Sequence, residues 1–170
     1  MPRARASVSI SGMNSLTELA RQLENLIRFG TVEAVQVNPP RVQVKTGNIL
    51  TTWLPWLTPR AGADRAWNPP TIGEQVVLFS PSGILAQGVA LTGLFSDLIP
   101  ANGEREGLHR STYRDGAVIE YDSIAKHLRA TLPGTAEINA TGSISITSGA
   151  NITLTAAGNV AITGARVDLN

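Results

Sequence analysis

The sequence contains no cysteine, which excludes disulfides, thiolate metal sites and cysteine nucleophiles. Histidine is nearly as scarce. His109 and His127 are the two in 170 residues, and neither lies near a carboxylate cluster that would specify a metal site. Both are expected on a surface or an interface. No run of about 18 apolar residues occurs, so no transmembrane helix is expected. Arg3 and Arg5 are not followed by an apolar stretch, so the start does not read as a secretory signal. Net charge is +1, which gives no electrostatic case for a nucleic acid or membrane partner. Charge almost vanishes after Pro133, where only Glu137, Arg166 and Asp168 carry it.

What fills that weakly charged C-terminal stretch is a repeat. Ile144 and Ile146 are followed eight residues later by Ile152 and Leu154, and eight later again by Val160 and Ile162. Val167 and Leu169 arrive one residue early. Each pair sits in strict apolar–polar alternation, the period of a β-strand with one buried face. Gly142, Gly149, Gly158 and Gly164 fall between the pairs, among residues that suit tight turns. A short fixed period of one strand and one turn points to a β-helix. The apolar face of each strand is narrow, and no large residue thickens it. Neighbouring chains are therefore expected to supply the missing surface, with all eight aliphatic residues in a shared trimer core. The alternative is the edge of a single-chain sandwich.

Taken in order, residues 1–12 are small, polar and basic, and are expected to be flexible. Met13 is a possible internal start. Asn14 or Ser15 can cap a helix, and Ser15 and Glu18 have capping-box spacing. Leu16, Leu19, Leu23, Leu26 and Ile27 then share one helical face, with Gly30 as the stop. Packing of that face on the chain's own domain is favoured over packing on a partner. Residues 31–95 read as a small OB-like antiparallel β-barrel, with strands at 31–37, 41–46, 49–57, 74–80 and 84–94 and a long loop from 58 to 70. Residues 96–108 form a polar joint. Residues 109–170 form the shaft, opening with strands at 110–114, 117–121 and 126–132 and an Asp115-Gly116 hairpin.

None of the polar clusters specifies catalysis. Glu104 and Glu106 flank Arg105 in a loop that is expected to be solvated. Glu120 and Asp122 would share a strand face pointing outward, whereas a glycosidase needs two carboxyls at a set separation in a cleft. Ser80-Pro81-Ser82-Gly83 lacks the preceding glycine and following helix of a nucleophile elbow and reads as a hairpin turn. Trp53, Trp56 and Trp67 form an aromatic group of the kind on which OB-folds stack bases or sugars. The accompanying basic residues, Arg41, Lys45, Arg60 and Arg65, make only a thin stripe, so core or interchain packing is favoured for the tryptophans.

A leading helix, an OB-like barrel carrying GEQVVLFSPSG, and YRDGAVIEYD opening a Gly/Thr/Asn-rich β-helix resemble the phage baseplate assembly protein V family. The resemblance covers nearly the whole chain after about residue 13, and the order of modules carries it. Members are the trimeric central spikes of contractile phage tails and related bacteriocin particles. The resemblance implies a structural role without enzymatic activity. It implies a rigid homotrimer, docked to the tail hub by its OB-like base, that sheath contraction drives through the target cell's outer envelope. Localisation would then be the particle tail, assembled in the bacterial cytoplasm and meeting the target outer membrane only transiently. Many members end in a His-x-His tip that binds iron on the trimer axis. No such motif occurs here, so no cofactor is expected in this chain, and iron would belong only to a tip segment beyond Asn170. Without a capping segment after Leu169, the expectation is either such a continuation or a separate tip protein on the blunt end. The alternative function is a sugar- or nucleic-acid-binding OB module on a β-helical stalk. A β-helical enzyme acting on polysaccharide is disfavoured, because the repeats lack clustered acidic residues.

Overall fold

Helix α1 (Ile10–Leu26) runs without a linker into strand β1 (Ile27–Val37) in a computed structural model that describes residues 10–168. Of the expected flexible start, residues 1–9 lie outside the described residues, and 10–12 belong to α1. Gly30 does not stop the helix; it sits inside β1. A Cβ there would lie 2.5 Å from Val44 Cγ1 and 2.9 Å from the Lys45 carbonyl oxygen, so glycine permits a close approach of neighbouring strands. Ile27 accordingly leaves the helical face and pairs opposite Phe79.

Strands β2 (Pro40–Thr46), β3 (Ile49–Leu50), β4 (Gln75–Phe79) and β5 (Val89–Leu94) complete an antiparallel sheet in the order β3-β2-β1-β4-β5. The long β1 divides its partners. Residues 27–31 pair with β4 and residues 31–37 with β2, with a register shift between Val32 and Ala34. Such a shift bends a strand and raises its twist, which an eleven-residue strand needs to serve both halves of a barrel. The expected strand over 49–57 is instead a two-residue β3 followed by a crossing. Leu54 exchanges two 2.8 Å backbone hydrogen bonds with Val42 on β2. Pro55 has no N–H to continue that ladder. Its carbonyl instead accepts from Ala90 on β5 (3.0 Å), and Leu57 donates to the Ala90 carbonyl (2.8 Å). Residues 54–57 thus join the two edges of the sheet and close it into an OB-like barrel. Val32, Val42, Val44, Leu54, Val76, Leu78 and Ala90 fill the interior, with Val35 and Trp56 packed against them.

The expected strand over 84–94 also starts late, at Val89. Before it, two single 3₁₀ turns, Pro81–Gly83 and Leu85–Gln87, replace the simple hairpin read at Ser80-Pro81-Ser82-Gly83. Gly83 adopts φ +67°, and a Cβ on it would sit 2.5 Å from the Gln22 Cα, so this turn lies directly on α1. The Ser80 amide donates to the last helical carbonyl, Leu26 (2.9 Å). The helix therefore meets the barrel by its Gln22 and Asn25 side. Asn25 is buried and accepts a hydrogen bond from Arg28, whose Nε donates to Thr46. The expectation that the leucine face packs on the chain's own barrel is overturned, since Leu16, Leu19 and Leu23 are all exposed. With no linker after Leu26, the direction of β1 fixes the rotation of the helix and turns that face away.

Beyond the polar joint lies a three-stranded meander of β6 (Leu108–Thr112), β7 (Val118–Asp122) and β8 (His127–Thr131). The hairpin at Asp115-Gly116 is present. Gly116 has φ +88°, and the Asp115 carboxylate accepts from the Ala117 amide at 3.0 Å. From 132 to 168 no strand is formed within the single chain, so the expected β-helical ladder is not built by intrachain pairing. The backbone nevertheless bends at 133–134, 141–142, 149–150 and 157–158, and again at 165, which keeps the period of eight.

Candidate functional site

Seven of the eight aliphatic residues assigned to a shared core stand in solvent in the isolated chain. Ile144, Ile146, Ile152, Leu154, Val160, Ile162 and Val167 are between 47% and 76% exposed. Leu169 lies outside the described residues. The earlier Ile138, in the same phase, is 82% exposed. Among the described residues, nothing within one chain brings these side chains together.

The meander below them has its polarity inverted. Glu120 and Asp122, expected to point outward, are 5% exposed. Glu120 is held by two arginines directly opposite it on the flanking strands. Arg110 Nε donates to one carboxylate oxygen at 2.6 Å, and Arg129 donates to the other. These hydrogen bonds hold the Glu120 carboxyl below the usual range, Arg110 contributing most, while desolvation opposes the shift. Asp122 is also held low, chiefly by the Ala125 amide and against the cost of desolvation, with further help from Arg105 and the Ile124 amide. Arg105 reaches Asp122 at 2.8 Å, so the residue between Glu104 and Glu106 draws the joint across this face. The opposite face carries Ile119 and Tyr121 on β7 beside Leu128 on β8, all exposed. His109, His127, Glu104 and Glu106 are exposed as well. Strand alternation alone could not reveal this inversion. The signal present was an arginine on each side of Glu120, which needs the strand register to be seen.

The third feature lies on the barrel where 54–57 close it. A cavity of about 480 Å³ is lined by Trp56, Trp67, Arg41, Arg60 and Arg65, with Pro40, Pro55, Thr58, Ala61 and Ala66. The two indole rings are tilted at 53° with centroids 5.8 Å apart. The loop over it is bonded to itself. Thr58 Oγ1 donates to the Ala66 carbonyl (2.8 Å), and the Ala66 amide donates to the Arg60 carbonyl (2.9 Å). Three of the four basic residues of the thin stripe thus converge, while Lys45 stands elsewhere. Trp56 packs partly on the core, as favoured from the sequence, but Trp67 is 62% exposed. Trp53 is outside the cavity lining.

A closed five-stranded barrel followed by a hairpin meander defines an OB-type module with an appended β-region. Residues 28–95 match the family model described as the type VI secretion system/phage-baseplate injector OB domain. The chain is also 38% identical over 136 residues to the spike protein of Escherichia phage P2, covering 78% of this chain. It spans 64% of the length of that relative. Residues 28–95 are thus an OB domain of the phage-baseplate injector family, and the chain as a whole is similar to a phage spike protein.

Proposed function

We propose that the chain is a structural subunit of a phage tail spike, and that three copies wind residues 133–168 into one β-helical shaft. The single observation that supports this reading is the mismatch in the C-terminal stretch. It keeps an eight-residue rhythm of bends and aliphatic pairs, yet each of those side chains is exposed in the isolated chain. A regular apolar pattern with no intrachain partner asks for other chains, and three narrow faces meeting on an axis would cover one another. The apolar outer face of the meander, with Ile119, Tyr121 and Leu128, asks for the same cover at the root of the shaft.

In this reading the work of penetration comes from sheath contraction, and the spike has only to resist buckling and unfolding. Interchain hydrogen-bond ladders serve that need because they leave no free strand edges. The OB barrel would sit at the base against the tail hub, and the shaft would meet the target's outer envelope. Catalysis forms no part of the role. Sedimentation equilibrium tests the core of the proposal. A homotrimer is expected, and a stable, folded monomer at micromolar concentration would remove it.

A further inference from the structure

We propose that the cavity between Trp56, Trp67, Arg41, Arg60 and Arg65 is a recognition site for an acidic peptide segment of a partner protein. Carboxylates would take the arginines, and an apolar or proline side chain would lie against the indoles.

The lining selects this chemistry. Its polar side chains are three guanidinium groups and Thr58. Arginine only donates hydrogen bonds, and Thr58 Oγ1, whose hydrogen is committed to the Ala66 carbonyl, is the one hydroxyl acceptor in the lining. Among the described residues, no carboxylate or side-chain amide lines the cavity. A neutral sugar presents several hydroxyls that need acceptors as well as donors, so with one hydroxyl oxygen to accept, most of its donors would find no side-chain partner here. A carboxylate only accepts, and it fits the planar fork of arginine with two bonds at once. The existing partners are weak. Asp64 lies 3.7 Å from Arg60 in a largely exposed pair, and Arg41 donates to the neighbouring Pro40 carbonyl. The Arg65 side chain contacts no carboxylate among the described residues.

The remaining lining, two prolines, two alanines and the tilted indoles, is apolar. A peptide matches that combination better than a nucleic acid. Single-strand binding uses a basic groove that tracks many phosphates, whereas here the positive charge is gathered at one cavity on a chain of net charge +1. The volume of about 480 Å³ has room for a few side chains, not for a long strand. The self-bonded loop presents Arg60 and Arg65 already folded back, which lowers the ordering cost of binding. Identifying the partner as a tail protein rests on the proposed spike role; the preference for acidic peptide does not.

The test titrates the full chain with a capped six-residue peptide alternating glutamate and proline, read by tryptophan fluorescence and calorimetry. Saturable binding is expected below about 1 mM, weakened at least tenfold in about 0.5 M salt. The glutamine isostere of the peptide should not bind. Arg60→Ala/Arg65→Ala should weaken binding about tenfold or more, and Trp67→Ala, a change at an exposed ring, should weaken it several-fold. No saturable binding at that concentration, equal binding of the glutamine peptide, or tighter binding of a thymidine oligonucleotide or a neutral disaccharide would overturn the proposal. A second readout separates the two readings. If peptide binding is as expected but the chain is absent from purified tails, the spike role fails while the site stands. If the double arginine variant binds the peptide like the parent, the site fails and the spike role is untouched.

Discussion

Val42 and Ile152 are aliphatic residues in equally strict alternation, and they end in opposite environments. Val42 is fully buried, and Ile152 is 56% exposed. The difference lies in what the chain does next. After Val42 it crosses at 54–57, returns through β4 and β5, and lays a second wall over the first. After Ile152 it only repeats itself, with one aliphatic pair per turn, and no segment among the described residues covers them. Alternation therefore specifies which side of a strand is apolar, but burial belongs to the partner. The barrel contains its partner, and the repeat does not.

The variant expected to act most strongly is Ile152→Asp. In the proposed trimer it sets three carboxylates in one dry layer, each costing several kcal/mol. Sedimentation should show loss of the trimer while the barrel's own unfolding transition persists. An unchanged trimer of parental heat resistance would mean that Ile152 does not face the axis. Leu78→Ala should act on the other region, destabilising the barrel by about 2–5 kcal/mol through the cavity left in its core. Chemical denaturation should register this equally at high and low protein concentration, whereas the effect of the Ile152 change should depend on concentration. Gly83→Ala comes next, at about 1–3 kcal/mol, because the new Cβ meets the backbone of Gln22 at a positive φ. Protease should cut sooner within α1, with cleavage in the barrel little changed.

Glu120→Gln should have the smallest effect at neutral pH, and its signature is the pH profile. Glu120 and Asp122 both have lowered folded-state values. The stability they add is fully present above the ordinary carboxylate range, near pH 4 to 4.5, and is lost as pH falls through the lowered values. Melting temperature of the parent should therefore decline below about pH 4, and Glu120→Gln should flatten that decline.

Much of the barrel was legible because its strands alternate cleanly between strong turn signals. Asn38-Pro39 lies where β1 reverses into β2, and in the meander Asp115-Gly116 lies where β6 reverses into β7. A local rule misleads where a tertiary demand overrides it. Gly30 resembles a helix stop, but the approach of β2 to β1 requires it. Residues 49–57 resemble one strand, but Pro55 hands the chain from one sheet edge to the other. Glu120 resembles a surface residue until the register places arginines on both sides. The cavity was half legible. Its tryptophans and arginines were visible as types, but only the folded loop from 58 to 66 brings them to one place.

The crossing at 54–57 also has a mechanical consequence. Every residue after Leu94 is tethered to the barrel through β5. That strand is bonded on one side to β4 and on the other, at Ala90, to Pro55 and Leu57. The β4 flank is an antiparallel ladder, whose bonds lie across the strand direction, and the Ala90 flank is a parallel bridge at Trp56, whose bonds are slanted. Tension along β5 therefore has to shear bonds on both flanks together, and cannot peel them away one at a time from a free edge. A barrel left open at this seam would hold the same core and the same residues, but would come apart like a zip.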